Sequence, residues 1–488
     1  MGDKERYKKN LIFYPLGTVG RDMTYCLVTS FLLTYIMFTR SLTKPQLAAI
    51  TGIMVFARVF DALNDPIMGN IIESTRTRWG KFKPWLFLGV LSTSFVVYFA
   101  FSSKLQGWQF IIFFGIIYIL YSITYTMSDI SYWGMVPALS SDADERNTIT
   151  ARATLFAGIG SVLASVLIPL LTTGKNAWGG SATTGYSRIA LAIGILSPLF
   201  MIATLAGVRE NREEQSTPPT KVSMKKIIGT VTGNDQLLWM CLIFLFEEVS
   251  NMLIPGGMGA TYLYFQFGYD GGLYSLFTTV GMAATAILMI FYPNISRKIH
   301  RKPLMGIMMI TSATGYTLML LAGLIIPDAV KFPLIVIGYM CGNFGNYCFY
   351  LIMMISIMNT VEYNEYKYGT RDEGIITSLR PFLTKMASAL VVLITALIYM
   401  ILGVTTYTNQ ISDYENAASA GTIDEASKLS SISDVIAGVT SSERIGLLLC
   451  ICILPCVLMF ISYRLYIKHY TLDEEEYDRI VEELKKKA

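Results

Sequence analysis

The chain has 488 residues, of which 53% are hydrophobic and 15% charged, with a mean hydropathy of +0.48. A soluble domain carries about 25% charged residues, and a disordered chain needs low hydrophobicity and high charge, so both classes are excluded. The net charge of +4 is too weak to indicate a nucleic-acid partner.

Apolar runs of spanning length recur along the chain. They fall near 11–38, 45–73, 84–102, 108–137, 152–172, 186–207, 236–266, 272–296, 303–326, 332–360, 374–404 and 443–467. The fold class expected is an all-α membrane protein with twelve transmembrane helices, for which about 240 residues suffice. The polar start MGDKERYKKN has no small-residue cleavage site, so no removed signal peptide is expected.

An even number of spans puts both termini on one side. Basic residues choose it: Lys4, Arg6, Lys8 and Lys9 in the N-tail; Arg76, Arg78, Lys81 and Lys83; Arg209, Arg212, Lys221, Lys225 and Lys226; Arg297, Lys298, Arg301 and Lys302; and Lys485 to Lys487 in the C-tail. The longest loop of the other side, 405–442, has Asp413, Glu415, Asp424, Glu425 and Asp434 against Lys428 alone. Both termini are therefore expected in the cytoplasm, in a multi-pass protein of the cell membrane.

Residues 208–234, with RENREEQSTPPTK, read as a polar linker. They divide an N-terminal six-helix bundle, 1–207, from a C-terminal one, 235–467. The tail 468–488 reads as a short amphipathic helix, acids first and lysines last. Two six-helix halves around a midplane site is the major-facilitator plan.

A charge at a helix centre costs about 2.5–3.5 kcal/mol on insertion scales, so charges inside spans mark function by default. The second span reads ARVFDALNDPIMGN, with Arg58, Asp61, Asn64 and Asp65. Asp61 and Asp65, four residues apart, share a face, and two such carboxylates ionise together only around a shared cation or proton. Hard oxygens suit Na⁺, Li⁺ or H⁺. The plainer reading is a structural pair neutralised by Arg58. The first span carries Arg21, Asp22 and Tyr25, and the fourth Tyr125, Thr126, Asp129, Tyr132 and Trp133. A carboxylate one turn from an indole suits a sugar, taking its hydroxyls while the ring stacks on its C–H face. Trp133 alone would be an interfacial residue.

Arg152 reads either as a lid over these acids or as a cytoplasmic gate. Arg380 contacts an anionic part of the substrate or snorkels to the interface. Lys385, in an apolar stretch, has the N-half acids as its expected partners. Glu247, Glu248 and Asn251 precede Pro255-Gly256-Gly257, which reads as a broken helix; of two adjacent acids, one is expected at a helix edge. EYNEYKYGTRDEG, before the eleventh span, reads as a cytoplasmic ion-pair cluster or as a solvated charge run. Seven cysteines lie in apolar segments without zinc-like spacing, and the two histidines, His300 and His469, sit at span edges. No resident cofactor is expected.

At these residues the sequence resembles the glycoside–pentoside–hexuronide:cation symporter family, the melibiose-permease-like branch of the major facilitator superfamily. The likeness is carried by ARVFDALNDPIMGNIIESTRTRWGKFKPW, GTVGRD, YTMSDISYWGMVP, DADERNTIT and EYKYGTRDEG. It implies a coupling-cation site at Asp61 and Asp65, with Thr126 nearby and Asn64 beside them, and sugar contacts at Asp22, Asp129 and Trp133. Arg21 and Tyr125 match family positions in the same site, and Lys385 matches the lysine beside the cation. Two positions depart from the melibiose-type pattern: its sugar-contacting arginine falls at Thr154, with Arg152 offered instead, and Arg380-Pro381 replaces a glutamine and a threonine. Those arginines leave a hexuronide as open as a neutral glycoside. The expected function is uptake of a sugar or glycoside with Na⁺ or H⁺ by alternating access. A non-sugar carrier such as a proton-coupled drug antiporter is the alternative. A transporter-like sensor is disfavoured by the short tails, and an enzyme by the lack of a nucleophile–base pair.

Overall fold

The computed structural model describes residues 3–140, 142–209 and 224–487. The named elements among them are all helices. The chain forms α1 (Asp3–Ser30), α2 (Leu32–Thr39), α3 (Lys44–Ser74), α4 (Lys83–Ser102), α5 (Gly107–Gly134), α6 (Ala143–Thr172) and α7 (Ala182–Gly207). After the linker come α8 (Met224–Gly233), α9 (Asp235–Met252), a π turn (Ile254–Met258), α10 (Gly259–Phe267), α11 (Gly271–Ser296), α12 (Arg301–Ile325), α13 (Asp328–Tyr368) and α14 (Glu373–Leu402). The chain ends with α15 (Val404–Ser419), α16 (Glu425–Ala437), α17 (Ser441–His469) and α18 (Glu474–Lys487).

Ten of these stretches are single spans, and two bent pairs bring the number to twelve among the described residues. The first span breaks by 50° between α1 and α2, and the second bends by 41° between Asp61 and Asn64, inside α3. The bend lies just before Pro66, which has no N–H for the carbonyl four residues earlier. Span starts are set by local chemistry. Thr43 and Gln46 cap each other's backbone at the start of α3, Asp142 accepts the Asp144 and Glu145 N–H groups at α6, and Asn234 accepts the Leu237 N–H at α9. Apolar side chains such as Phe95, Ile112, Ile290 and Ile401 are exposed, as a lipid-facing surface requires.

Two compact units form. The first holds Met1–Lys221, Leu263–Ser275 and Tyr399–Val439; the second holds Val222–Tyr262, Leu276–Ile398 and Thr440–Ala488. In the first, α1 packs on α6 and α7, α4 on α5 and α7, and α3 along α5. Gly160 allows a close approach of α6 to α1, because a Cβ there would run into the Val19 carbonyl. In the second, α12 lies against α13 and α17 against α9. Its core gathers Phe244, Met305, Phe349, Ile352 and Met459.

Two stretches depart from the sequence reading. The linker expected at 208–234 ends in helix α8, while its residues 210–223 lie outside the described residues. The acidic stretch 405–442 is no loop: it folds into α15 and α16, and α15 packs on α2 and α7. At its centre the Lys428 ammonium meets the Glu415 carboxylate at 3.5 Å, both side chains 0% exposed. Glu415 also accepts the Ala182 N–H at 2.5 Å, and Lys428 donates to the Gly180 carbonyl at 2.7 Å. The expected tail helix is present as α18, docked on α13. Arg301 holds its start, the backbone N–H donating to Glu474 at 2.7 Å and the guanidinium at 3.0 Å.

Candidate functional site

In the first unit α3 and α5 run side by side, and polar residues four apart on each face one another. Ser122 donates to Asp61, and Thr126 donates to Asp65 at 3.1 Å. The pairs 61–122 and 65–126 advance together along both helices, so the two helices are locally parallel. Asp61 is buried and Asp65 half-buried. Arg58, one turn before Asp61, reaches its other oxygen at 3.4 Å. The buried Asn64 amide nitrogen has no hydrogen-bond partner among the described residues. Thus Thr126 stands where the resemblance put it, and Arg58 neutralises Asp61 in this state. Ser122 was not anticipated; the signal was its four-residue offset from Thr126, which matches Asp61–Asp65.

A second cluster ties α1 to α5. Tyr14 and Tyr132 stack with centroids 4.3 Å apart, and each hydroxyl donates to the other's carbonyl, at 2.7 and 2.6 Å. Above them Arg21 bonds Asp22 at 2.8 and 3.0 Å and Asp129 at 3.1 Å. Its guanidinium lies 5.0 Å from the ring centres of both Tyr132 and Trp133. Side-chain exposure orders the groups: Arg21 6%, Asp22 16%, Asp129 35%. Arg21 is therefore the buried hub, and Asp129 with half-buried Trp133 is the part open to a ligand. Tyr25 stacks on Tyr125, and Tyr125, Tyr121 and Tyr118 form a ladder along α5 towards Arg58. That stripe, at helical spacing, links the two clusters and was missed beyond Tyr125.

Arg152 does not join them. It is exposed on α6 with no hydrogen bond or ion pair among the described residues, which corrects the lid reading. In the second unit Arg380 is exposed and donates to the Tyr350 hydroxyl at 2.7 Å, while Lys385 is half-buried. Glu247 and Glu248 are both buried, at 0% and 4% exposure. The break after them is real: Gly257 takes φ 128° within the π turn. Arg371 pairs with Glu362, Glu365 and Glu373 at 2.8 to 3.1 Å, the anticipated ion-pair cluster. Beside it Lys226 meets Asp372 at 2.7 Å and holds that carboxyl below the usual range.

Twelve spans among the described residues, several of them bent or broken, with carboxylates and arginines buried inside them, fit a polytopic carrier of the major-facilitator fold. The chain belongs to the family described as MFS/sugar transport protein, which it matches over residues 13–474. It is 28% identical over 505 residues to the lactose permease of Lactobacillus helveticus, covering 98% of this chain and 72% of that protein. It is 24% identical to the glucuronide carrier protein homolog of Escherichia coli, covering 98% and 95%. Among solved structures, the xylose transporter XylE of E. coli superposes with a TM-score of 0.59 at 10% identity, over 96% of this chain and 99% of that one; this likeness concerns the fold alone.

Proposed function

We propose that the chain is a secondary active symporter of the cell membrane, with both termini cytoplasmic, that takes up a neutral glycoside with a cation by alternating access. The carrying observation is the register of Asp61 and Asp65 against Ser122 and Thr126. It gathers two carboxylates and two hydroxyls, and Pro66 frees the carbonyl of residue 62 between the acids. Such an all-oxygen set suits Na⁺, Li⁺ or H⁺. Arg58 occupies Asp61 when no cation does; an arriving cation displaces it, and the tyrosine ladder passes the change to Arg21, Asp22 and Asp129.

Asp129 and Asp22 take the sugar's hydroxyls, and Trp133 stacks on its apolar face. The Arg21 guanidinium is already shared between two carboxylates, so the cluster faces the ligand with acids rather than with a cation. That field opposes an anionic sugar, so the glycoside is neutral and a hexuronide is rejected. Lactose, the sugar in the name of the Lactobacillus relative, is the first candidate.

The test is uptake into proteoliposomes of neutral glycosides, pentosides and hexuronides, under an imposed Na⁺ gradient or pH gradient. Accumulation of a neutral glycoside under either gradient supports the reading, and which gradient drives it names the cation. Accumulation of a hexuronide alone sinks the charge argument. With the accepted sugar, Trp133→Ala is expected to weaken binding about tenfold, roughly 1.4 kcal/mol, and Trp133→Phe to restore most of it. Equal affinity in all three would remove Trp133 from the sugar site.

A further inference from the structure

The second unit contains a buried acceptor cluster that the cation and sugar sites above do not use. Glu247, on α9, is 0% exposed, and neither of its carboxyl oxygens has a hydrogen-bond partner among the described residues. Asn346, on α13, is 1% exposed, and its amide oxygen is likewise unpartnered. Its amide nitrogen donates to Ser250 Oγ at 3.4 Å, and Ser250, one turn beyond Glu247 on α9, donates to the Pro455 carbonyl at 3.0 Å. Ser250 therefore has no proton left for the acid.

Among the described residues, the groups acting on Glu247 itself carry no positive charge. Glu248 adjoins Glu247 on its own helix and adds a second carboxyl rather than a cation. Tyr316 from α12 hydrogen-bonds with the Asn346 side chain and lies within electrostatic reach of Glu247 and of Cys456 from α17, and Cys348 from α13 lies within reach of Glu247. Arg380 from α14 acts on Glu248, whose Oε1 already accepts the Thr384 hydroxyl at 3.1 Å. A carboxylate ion in such a place would lose its hydration with nothing in return. A hard metal ion gathers about six oxygens, more than one carboxyl and one amide supply. A proton needs only a single oxygen and turns the acid into a donor for a neighbouring acceptor.

We propose that Glu247 is a proton-binding site of the second unit, neutral in the state seen here and exchanging its proton with water in another state of the transport cycle. The route is supplied two turns further along, where α9 breaks at the π turn Ile254–Met258 and Gly257 takes φ 128°. Gly257 gives that kink a hinge conformation that an L-residue resists. Rearrangement there uncovers Glu247 without unfolding α9.

The experiment uses the purified full-length protein in lipid nanodiscs and needs no sugar, so its outcome is independent of the symport reading. Infrared spectra at neutral pH are compared between wild type, Glu247→Gln and Glu247→Asp. The expected result is a protonated-carboxyl C=O band that is lost in Glu247→Gln, moved in Glu247→Asp, and shifted in the wild type on transfer to D₂O. If Glu247→Gln fails to fold, the displaced band of Glu247→Asp carries the assignment. Carboxyl regions identical in all three proteins would overturn the proposal, because Glu247 would then be ionised. A Glu247 band that never shifts in D₂O would overturn it as well, since a carrier's proton must reach water.

Discussion

Lys428→Met is expected to lose about 3–5 kcal/mol of stability, the cost of stranding one member of a buried ion pair, read as a large fall in the apparent Tm of the purified protein. Glu415 and Lys428 are both fully buried, and Glu415 keeps an oxygen without a hydrogen-bond partner. Burial already pushes the Glu415 carboxyl above the usual range, against the opposing pull of Lys428 and the Ala182 N–H. Without Lys428 the folded protein holds this carboxyl protonated. The raised folded-state value fixes the sign: the variant is least impaired below about pH 4.3, the value of an unperturbed glutamate, and loses stability as pH rises from there towards the folded-state value. Lys428→Met/Glu415→Gln is expected to recover most of the loss, because replacing both partners leaves no buried charge. A single variant that melts like wild type at neutral pH would show that the pair does not hold α15 and α16 in place.

Those two helices also show where sequence reading stops. The spans were legible because a lipid-facing helix must be apolar over its whole length, which a single chain displays directly. The stretch 405–442 hides its helices. α15 buries Val404, Thr405, Thr408, Ile411, Ser412 and Glu415, a helical period written mostly in polar residues, so no continuous hydrophobic stripe announces it. Of the breaks in the first two spans, only the second carries a visible sign in the sequence, Pro66.

The site was legible in proportion to how local its chemistry is. Asp61 with Asp65 and Asp129 with Trp133 are four-residue spacings, readable on one helix. Thr126 came from family likeness. Ser122 needed the register between α3 and α5, and a lone serine in an apolar helix usually bonds its own backbone. Arg21 was read as a ligand contact, whereas the structure shows it bonded to Asp22 and Asp129. Its role as hub depends on Asp129, 108 positions away, which no spacing rule connects. Arg152 was offered for its charge alone, and charge near the end of a span more often faces water.

Asp61→Asn is expected to abolish cation stimulation of sugar binding while leaving residual affinity for the sugar. Coupling is reciprocal, so the cation raises sugar affinity by the factor that the sugar raises cation affinity, about 5–150-fold in typical cases; the variant should reduce that factor to one. Asp61 is the apt target because its two oxygens meet Ser122 and Arg58, whereas Asp65 meets Thr126. Removing its charge also strands Arg58, whose side chain is 11% exposed, so Arg58→Met/Asp61→Asn serves as the folding control. If the double variant folds and is equally insensitive to cation, the loss belongs to the site and not to a damaged helix. Thr126→Ala should shift only the cation concentration needed, since it removes one neutral oxygen and no charge. Full cation stimulation in Asp61→Asn would leave Arg58 and Asp61 as a structural pair, the plainer reading of the same residues, and would move the coupling ion elsewhere in the protein.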